Sequence, residues 1–145
     1  MATFDSKNLR RGVVHAGTWG NRVTQYDTVT IPGDASVDDV ARFIELPRGA
    51  IPVDLQVFID GEATGGEFDL DFGLQAKRDG ELSDSDYFMA GQGGDAAARV
   101  RADEVNEPVE LEDDDYYLTA TVKGASPGAA TDITAVVEYI FIGTE

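Results

Sequence analysis

The residues that come closest to a chemical site are two aspartates, Asp69 and Asp71, in the stretch EFDLDFGLQ (67–75). Residues two apart in an extended strand project from the same face, roughly 6.6–6.8 Å apart along the chain. Calcium takes six to eight oxygen ligands at about 2.3–2.6 Å, so this pair needs further ligands from Asp60, Glu62 or residues 112–115. The chain lacks the spaced D-x-D-x-D-G loop of calcium sites. We therefore predict no metal site. We interpret Asp69 and Asp71, the weak candidates for metal ligands, as the solvated side of a strand.

The residues of common catalytic sites are scarce. His15 is the only histidine and there is no cysteine, which removes thiolate chemistry and leaves no histidine pair. The chain has no G-x-S-x-G, P-loop or H-E-x-x-H motif. With 28 acidic residues, some carboxylate pair always falls at the separation of about 5–9.5 Å that glycosidases use, so that signal is uninformative. The sequence predicts a protein that is not an enzyme and that carries no cofactor.

The net charge excludes some classes of partner. Twenty-eight acidic residues against 11 basic ones give a formal charge of −17. Such a surface repels nucleic-acid phosphates and anionic lipid, and no apolar run approaches the roughly 20 residues that span a bilayer. Neither nucleic acid nor a membrane is expected as a partner.

The charge is also unevenly distributed. Residues 1–22 hold four basic residues and the single acid Asp5, so their net charge is +3, while the rest of the chain has a net charge of −20. We predict an extended basic N-terminal arm at 1–22 and a β-sandwich domain at 23–145. The arm either orders against a partner or a neighbouring copy, or is a frayed terminus. The candidate residues for contact with such a partner or a sister subunit are Lys7, Arg10, Arg11 and Arg22.

Two stretches alternate between apolar and polar residues, which indicates half-buried strands. The first runs from Val53 to Asp60 and the second from Glu67 to Leu74. Residues 60–66 (DGEATGG) have turn chemistry, so the two strands are predicted to pair as an antiparallel hairpin with their apolar side chains on one face. Further strands are predicted at 23–31, at 108–111, at 116–122, at 131–143 and, after a short turn at 36–39, up to Leu46. A helix start is an alternative at 36–39, because Ser36 followed by Asp39 imitates a capping box. Residues 96–102 are the one other place for a helical turn.

This succession of strands and turns predicts the fold class. It is all-β, a single-domain antiparallel β-sandwich or jelly roll with an extended N-terminal arm. The strand at 131–143 is apolar on both faces, so either it is central to the core or one face is a subunit interface, which we favour. The candidate interface residues are Val136, Ile140 and Ile142.

Several stretches together resemble a known family. The lead at 6–18, VTIPGDASVDDVARFIELPRGAIPVDLQVFID (29–60), FDLDFGL (68–74) and SDSDYF (83–88) look like the head decoration, or cement, proteins of tailed bacteriophages. The likeness covers roughly the first two thirds of the chain, and its motifs encode no catalytic chemistry.

The resemblance implies a virion structural protein on the capsid exterior. Proteins of this family are β-sandwich modules, often homotrimers, bound to the major capsid protein at three-fold or quasi-three-fold positions, where they stabilise the shell. Many symmetric copies multiply a modest contact, so such a role needs no active site.

Two alternatives remain open from the residues alone. A calcium-assisted carbohydrate-binding β-sandwich would use the loop at 60–66 and nearby aromatic rings, and it predicts a monomer stabilised by calcium or glycan. Another virion component, such as a head–tail connector or a tail protein, would have a similar composition and a different symmetry.

Overall fold

The structure is a computed structural model that describes residues 1–6, 9, 21–103 and 107–141. Its regular elements are nine β-strands. In chain order they are β1 (Thr3–Asp5), β2 (Asn21–Ile31), β3 (Val40–Leu46), β4 (Ala50–Ile59), β5 (Asp69–Ala76), β6 (Asp84–Gly93), β7 (Ala98–Arg101), β8 (Tyr116–Lys123) and β9 (Thr131–Phe141). Among the described residues, no helix has the length and apolarity to cross a membrane.

The strands form two sheets. The five-stranded sheet has the order β1-β3-β8-β5-β6 and the four-stranded sheet has the order β2-β9-β4-β7. All pairings are antiparallel except that of β1 with β3. The predicted all-β sandwich is confirmed.

The core lies between the two sheets because each strand turns one apolar row inward. In β8 the inward residues Leu118, Ala120 and Val122 are fully buried, and in β9 alternate residues from Ile133 to Tyr139 are buried. Phe43 of β3 and Phe72 of β5 pack with their ring centroids 6.3 Å apart. Strand β9 is thus central to its sheet, with its second face directed outward.

The predicted hairpin between the two alternating stretches is wrong. Strand β4 pairs with β7 and β9 in the four-stranded sheet, whereas β5 pairs with β6 and β8 in the other sheet. Residues 60–68 therefore cross from one sheet to the other. The apolar rows of both strands do meet in the core, but from opposite sides, because alternation identifies the buried face of a strand and not its partner.

Three further elements differ from the sequence-based expectations. Residues 98–101 of the suggested helical turn form strand β7, whose arginines point outward beside β4. The predicted strand at 108–111 is irregular, with Leu111 buried. Residues Thr3–Asp5 form β1 at the edge of the five-stranded sheet, where Ser6 N–H donates to the carbonyl of Arg42 at 2.9 Å. The predicted N-terminal arm therefore contains a short strand near its start.

The turn predicted at 36–39 is present and is followed by β3. Its closing residue is Asp39, whose carboxylate accepts the N–H of Ser36 at 2.8 Å while its own N–H donates to the carbonyl of Ser36 at 3.1 Å. Asp38 has a positive φ of 73° in this turn. The Ser36-to-Asp39 pattern therefore closes a turn instead of starting a helix.

Candidate functional site

The two aspartates with the calcium-like spacing lie on the outer face of the five-stranded sheet. Asp71 accepts the backbone N–H of Gly91 at 2.8 Å, and Asp69 stands opposite Lys123 and Gly93 in the strand register. Within the part of the chain that the structure describes, no three carboxylate or imidazole side chains converge to hold a metal ion. What the structure assigns to Asp71 is a backbone hydrogen bond across β5 and β6.

The acidic run at 112–115 anchors loops. Asp114 is buried and accepts the N–H groups of Arg78 at 2.6 Å, Gly80 at 3.2 Å and Asp115 at 2.8 Å. Burial by itself raises the pKa of Asp114, yet these three donors and the nearby guanidinium outweigh it, so the pKa lies below 3.8. The loop between β5 and β6 is thereby tied to the start of β8.

The neighbours of Asp114 continue this anchoring. Asp113 accepts the N–H of Glu81 and the hydroxyl of Tyr116, both at 2.8 Å, and the first of these contributes most to lowering its pKa. Asp115 accepts the N–H of Arg48 at 2.8 Å, which joins the turn after β3 to the same region. These carboxylates satisfy backbone groups that would otherwise lack a partner.

Two more aspartates hold loops in the same way. Asp60 accepts the hydroxyl of Thr131 at 2.6 Å and the N–H of Asp132 at 2.8 Å, which fixes the end of β4 to the start of β9. Burial by itself raises the pKa of Asp60, but these hydrogen-bond donors outweigh it, so the pKa is lowered. Asp39 accepts the N–H of Ala2 at 2.7 Å, the largest cause of its lowered pKa. Asp60 is therefore occupied by protein donors and is not presented as a calcium ligand.

A cleft of about 260 Å³ lies on the outer face of the five-stranded sheet, beside the start of β6. Its lining residues are Val40, Leu74, Gln75, Ser83, Asp84, Ser85, Thr119 and Thr121. The lining is rich in hydroxyl groups but has no aromatic ring, which is the platform that the carbohydrate-binding alternative requires. The cleft does not favour that alternative.

The outer face of the four-stranded sheet has a different character, and we call it the arginine face. Pairing across β2, β9, β4 and β7 places its side chains in rows, with Tyr26, Val136, Gln56 and Arg101 in one row and Thr28, Thr134, Phe58 and Arg99 in the next. Its apolar and charged members are Arg22, Tyr26, Ile51, Asp54, Phe58, Arg99, Arg101, Asp132, Val136, Glu138 and Ile140.

Aromatic and basic groups are exposed on the arginine face. Tyr26 is 73% exposed and Phe58 is 37% exposed, which is unusual for large apolar side chains. The guanidinium of Arg99 lies over the Phe58 ring, 5.4 Å from its centroid. Arg101 pairs with Asp54 at 2.6 Å, and Arg22 with Glu138 at 3.4 Å. Asp132, exposed on the same side of β9, accepts the hydroxyl of Thr30 at 2.5 Å, so three arginines stand against three acids on this face.

The same two-sheet architecture occurs in solved phage capsids. A chain from the capsid of Ralstonia phage GP4 superimposes with a TM-score of 0.72 at 21% identity, over 99% of this chain and all of that one. The two share a fold. A chain from the cyanophage Pam1 capsid asymmetric unit gives a TM-score of 0.66 at 17% identity, over 90% of this chain and 91% of that one.

A third solved structure extends this similarity. A chain from the acid-stable capsid structure of Helicobacter pylori bacteriophage KHP30 gives a TM-score of 0.56 at 13% identity, over 85% of this chain and 94% of that one. No protein-family model and no curated protein sequence matches the chain. The similarity is therefore one of fold, and it extends over nearly the whole chain.

The residues predicted for contacts have different outcomes. Arg22 lies exposed in β2, and Val136 and Ile140 lie half-buried on the outer side of β9, so these three share the arginine face. Lys7, Arg10, Arg11 and Ile142 lie outside the described residues, as does His15. Sequence reasoning missed Tyr26, Phe58, Arg99 and Arg101 as one surface. The alternation of Phe58 with buried Val57 and Ile59 could have indicated that Phe58 faces outward. No sequence pattern indicated that β4 pairs with β7.

Proposed function

We propose that this chain is a virion structural protein that binds the outside of a phage head and stabilises the shell. The observation that carries the proposal is the fold match to a chain of the Ralstonia phage GP4 capsid over 99% of this chain and all of that chain. Two further capsid structures contain chains of the same fold. The resemblance of residues 6–18, 29–60, 68–74 and 83–88 to head decoration proteins supports the same role independently.

The proposed partner is the major capsid protein, and the proposed state is a homotrimer at three-fold or quasi-three-fold positions. The charge distribution supports a position on the particle exterior, because a strongly acidic surface keeps an exposed particle soluble. It also suits a role without nucleic-acid contact. Loops anchored by buried carboxylates make a rigid body, and binding of a rigid body loses less conformational entropy than binding of a flexible one.

The proposed shell contact includes the basic residues near the N-terminus, Lys7, Arg10 and Arg11. Arginine and lysine near a chain terminus suit charge-assisted hydrogen bonds to an acidic capsid surface. Arg22 belongs to the same prediction, but its place in β2 beside Glu138 assigns it to the arginine face. The boundary between arm and domain at residue 22 stays a prediction, and strand β1 argues for including residues 1–6 in the domain.

The test is co-sedimentation of the purified chain with shells of the major capsid protein from the same virus, followed by cryo-electron microscopy of the complex. We expect saturable binding, density outside the shell at three-fold positions, and a higher shell melting temperature. Density confined to the portal vertex or tail would favour the connector or tail alternative. No binding to the shell exterior would overturn the proposal.

A variant of the full chain tests the arm. Lys7→Gln, Arg10→Gln and Arg11→Gln together are expected to weaken shell binding without lowering the melting temperature of the free protein. The matched control carries Lys77→Gln, Arg78→Gln and Lys123→Gln, which removes the same charge from the five-stranded sheet and its loop. Equal shell occupancy by both variants would remove the arm from the proposed contact.

A further inference from the structure

Residues 77–82, which make up most of the loop between β5 and β6, are held to the segment 113–116 by an array of hydrogen bonds. The backbone N–H groups that donate, at 2.6 to 3.2 Å, are those of Lys77, Arg78, Gly80, Glu81 and Leu82. Their acceptors are the carbonyl of Asp115, the carboxylates of Asp113 and Asp114, and the hydroxyl of Tyr116. Three of these five bonds therefore end on a carboxylate.

Apolar packing contributes little to holding this loop. The side chains at 77, 78, 79 and 81 are exposed, and Leu82 is only partly buried against the core. The loops that Asp39 and Asp60 hold differ, because they contain the buried residues Ala35 and Phe68. A segment that is held by polar contacts and buries little apolar surface can open while the core stays folded.

The loop lies directly on its acceptors. A Cβ atom added at Gly80 would overlap the hydroxyl end of the Tyr116 ring and touch the Cβ atom of Asp114. Both of these side chains are buried, so neither can move aside easily. The closed position of the loop thus depends on glycine at 80 as well as on the carboxylates.

The groups around Asp114 determine which pH range matters. The charged and titratable residues on the elements packed against it are Arg48, Lys77, Arg78, Asp79, Glu81, Glu112, Asp113, Asp115 and Tyr116. Lysine and arginine stay charged throughout the acidic range, and burial raises the pKa of Tyr116. The carboxyl groups are therefore the ones that change charge when the pH falls.

We infer that residues 77–82 detach from the segment 113–116 at acidic pH while the two sheets stay folded. Protonation places a hydrogen on a carboxylate that now only accepts, so fewer acceptor sites face the N–H groups of the loop. One oxygen of Asp114 accepts from both Arg78 and Gly80, so a proton on this group weakens two bonds at once. Any contact that this end of the molecule makes then depends on pH.

The direction of the pH dependence follows from linkage. Hydrogen bonds from the loop hold the pKa values of Asp113 and Asp114 below 3.8 when the loop is closed. Detachment removes those donors and returns both groups toward their ordinary value. The closed loop is therefore fully stabilised above the ordinary value and loses this stabilisation as the pH falls through the lowered values.

Hydrogen exchange of the full chain, read at single amides by nuclear magnetic resonance, tests the inference. Below about pH 4 the protection factors of the Arg78, Gly80 and Glu81 amides are expected to fall by up to about tenfold per pH unit for each carboxylate that titrates. The amides of β8, which pairs with a strand on each side, are expected to stay protected over the same range.

Two variants and a control show which groups are responsible. Asp113→Asn with Asp114→Asn cannot ionise at these positions, so loop protection is expected to be low already at neutral pH and nearly constant as the pH falls. Gly80→Ala is expected to give low loop protection at neutral pH, because the added Cβ overlaps Tyr116. Glu112→Gln removes an exposed acid from the same run and is expected to keep the pH dependence of the unaltered chain.

The unaltered chain decides the question even if a variant fails to fold. Loss of protection in the loop and in β8 at the same pH would show that the loop does not open separately, which overturns the inference. Loop protection that persists until the whole chain unfolds would overturn it as well. An unchanged pH dependence in the folded double asparagine variant would assign the effect to other groups and contradict the role of Asp113 and Asp114.

Discussion

The carboxylate of Asp114 accepts the backbone N–H of Arg78 at 2.6 Å, although the two residues are 36 positions apart in sequence. The same oxygen accepts the N–H of Gly80 at 3.2 Å. A single buried side chain therefore fixes the loop between β5 and β6 relative to β8. The acidic run contributes to the fold through these bonds as well as to the surface charge.

Replacing Asp114 with alanine is expected to lower the melting temperature by several degrees, because the N–H groups of Arg78, Gly80 and Asp115 lose their acceptor. Thermal unfolding followed by circular dichroism measures the effect. Glu112→Ala is the matched control, since it removes the same charge from an exposed neighbour in the same run. Equal melting temperatures for the two variants would show that the Asp114 hydrogen bonds do not stabilise the loop.

The free energy of unfolding is expected to fall at acidic pH. Hydrogen bonds hold the pKa values of Asp39, Asp60, Asp113 and Asp114 below 3.8 in the folded state. A group with a lowered folded pKa contributes stability above its unfolded pKa and loses that contribution as the pH falls through the folded value. Urea unfolding across the pH range is expected to show a decline that begins below about pH 4.

A variant that lacks two of these carboxyl groups is the control for the loss of unfolding free energy at acidic pH. Asp60→Asn with Asp114→Asn removes two of the titrating groups, so it is expected to make the decline shallower as well as to reduce stability at neutral pH. A decline of unchanged steepness would assign the acid sensitivity to other groups.

Stability is also expected to fall at alkaline pH. Burial raises the pKa of Tyr139 to about 12, despite the hydrogen bond that Gln25 donates to its hydroxyl at 2.8 Å. A raised folded pKa contributes stability below the unfolded value, near 10, and this contribution is lost as the pH rises through the folded value. Because the chain has five tyrosines, its tyrosinate absorbance is compared with that of a Tyr139→Phe variant, and the difference is expected to show Tyr139 ionising only as the chain unfolds. Ionisation in the folded state near pH 10 would contradict this.

Gly73 is expected to tolerate no side chain. A Cβ atom there would overlap the carbonyl oxygen of Asp84 and the carbonyl group of Ser85, because the start of β6 folds closely over the outer side of β5. Gly73→Ala is expected to destabilise the fold by about 1–3 kcal/mol or more, measured by urea unfolding. Gly66→Ala is the control, since nothing lies within 4 Å of its added Cβ. Equal stability of the two variants would mean that β6 can move away from Gly73 at little cost.

Sequence patterns identified most strands but not their neighbours. Alternation found β4 and β5 because a half-buried strand must alternate, yet it assigned them to one hairpin when they belong to opposite sheets. The decisive contacts are between β5 and β8 and between β4 and β9, which are far apart in sequence. Pairing of this kind depends on how the sheets pack, and local propensity carries little information about it.

The surface predictions were limited for a related reason. Val136 and Ile140 could be predicted to face outward because β9 is apolar on both sides. Arg99 and Arg101 could not be assigned to the same surface, since the short stretch AAARVRA was compatible with a helical turn, and its strand at 98–101 depends on pairing with β4. The anchoring role of the aspartates at 113–115 could not be predicted, because their partners are backbone N–H groups, which no sequence pattern displays.

The first six residues are expected to stabilise the sandwich. Strand β1 pairs with β3, Ala2 donates to Asp39 at 2.7 Å, and Asp5 accepts two hydrogen bonds from the guanidinium of Arg42, at 2.7 and 3.0 Å. Deleting residues 2–6 removes these bonds and leaves the edge of β3 without its partner strand, so the melting temperature is expected to fall and aggregation to increase. Asp5→Asn with Ala2 retained is the milder variant, and it is expected to lower the melting temperature only slightly, because exposed ion pairs contribute little. Unchanged stability after the deletion would support a domain that begins near residue 22, with β1 contributing nothing to its folding.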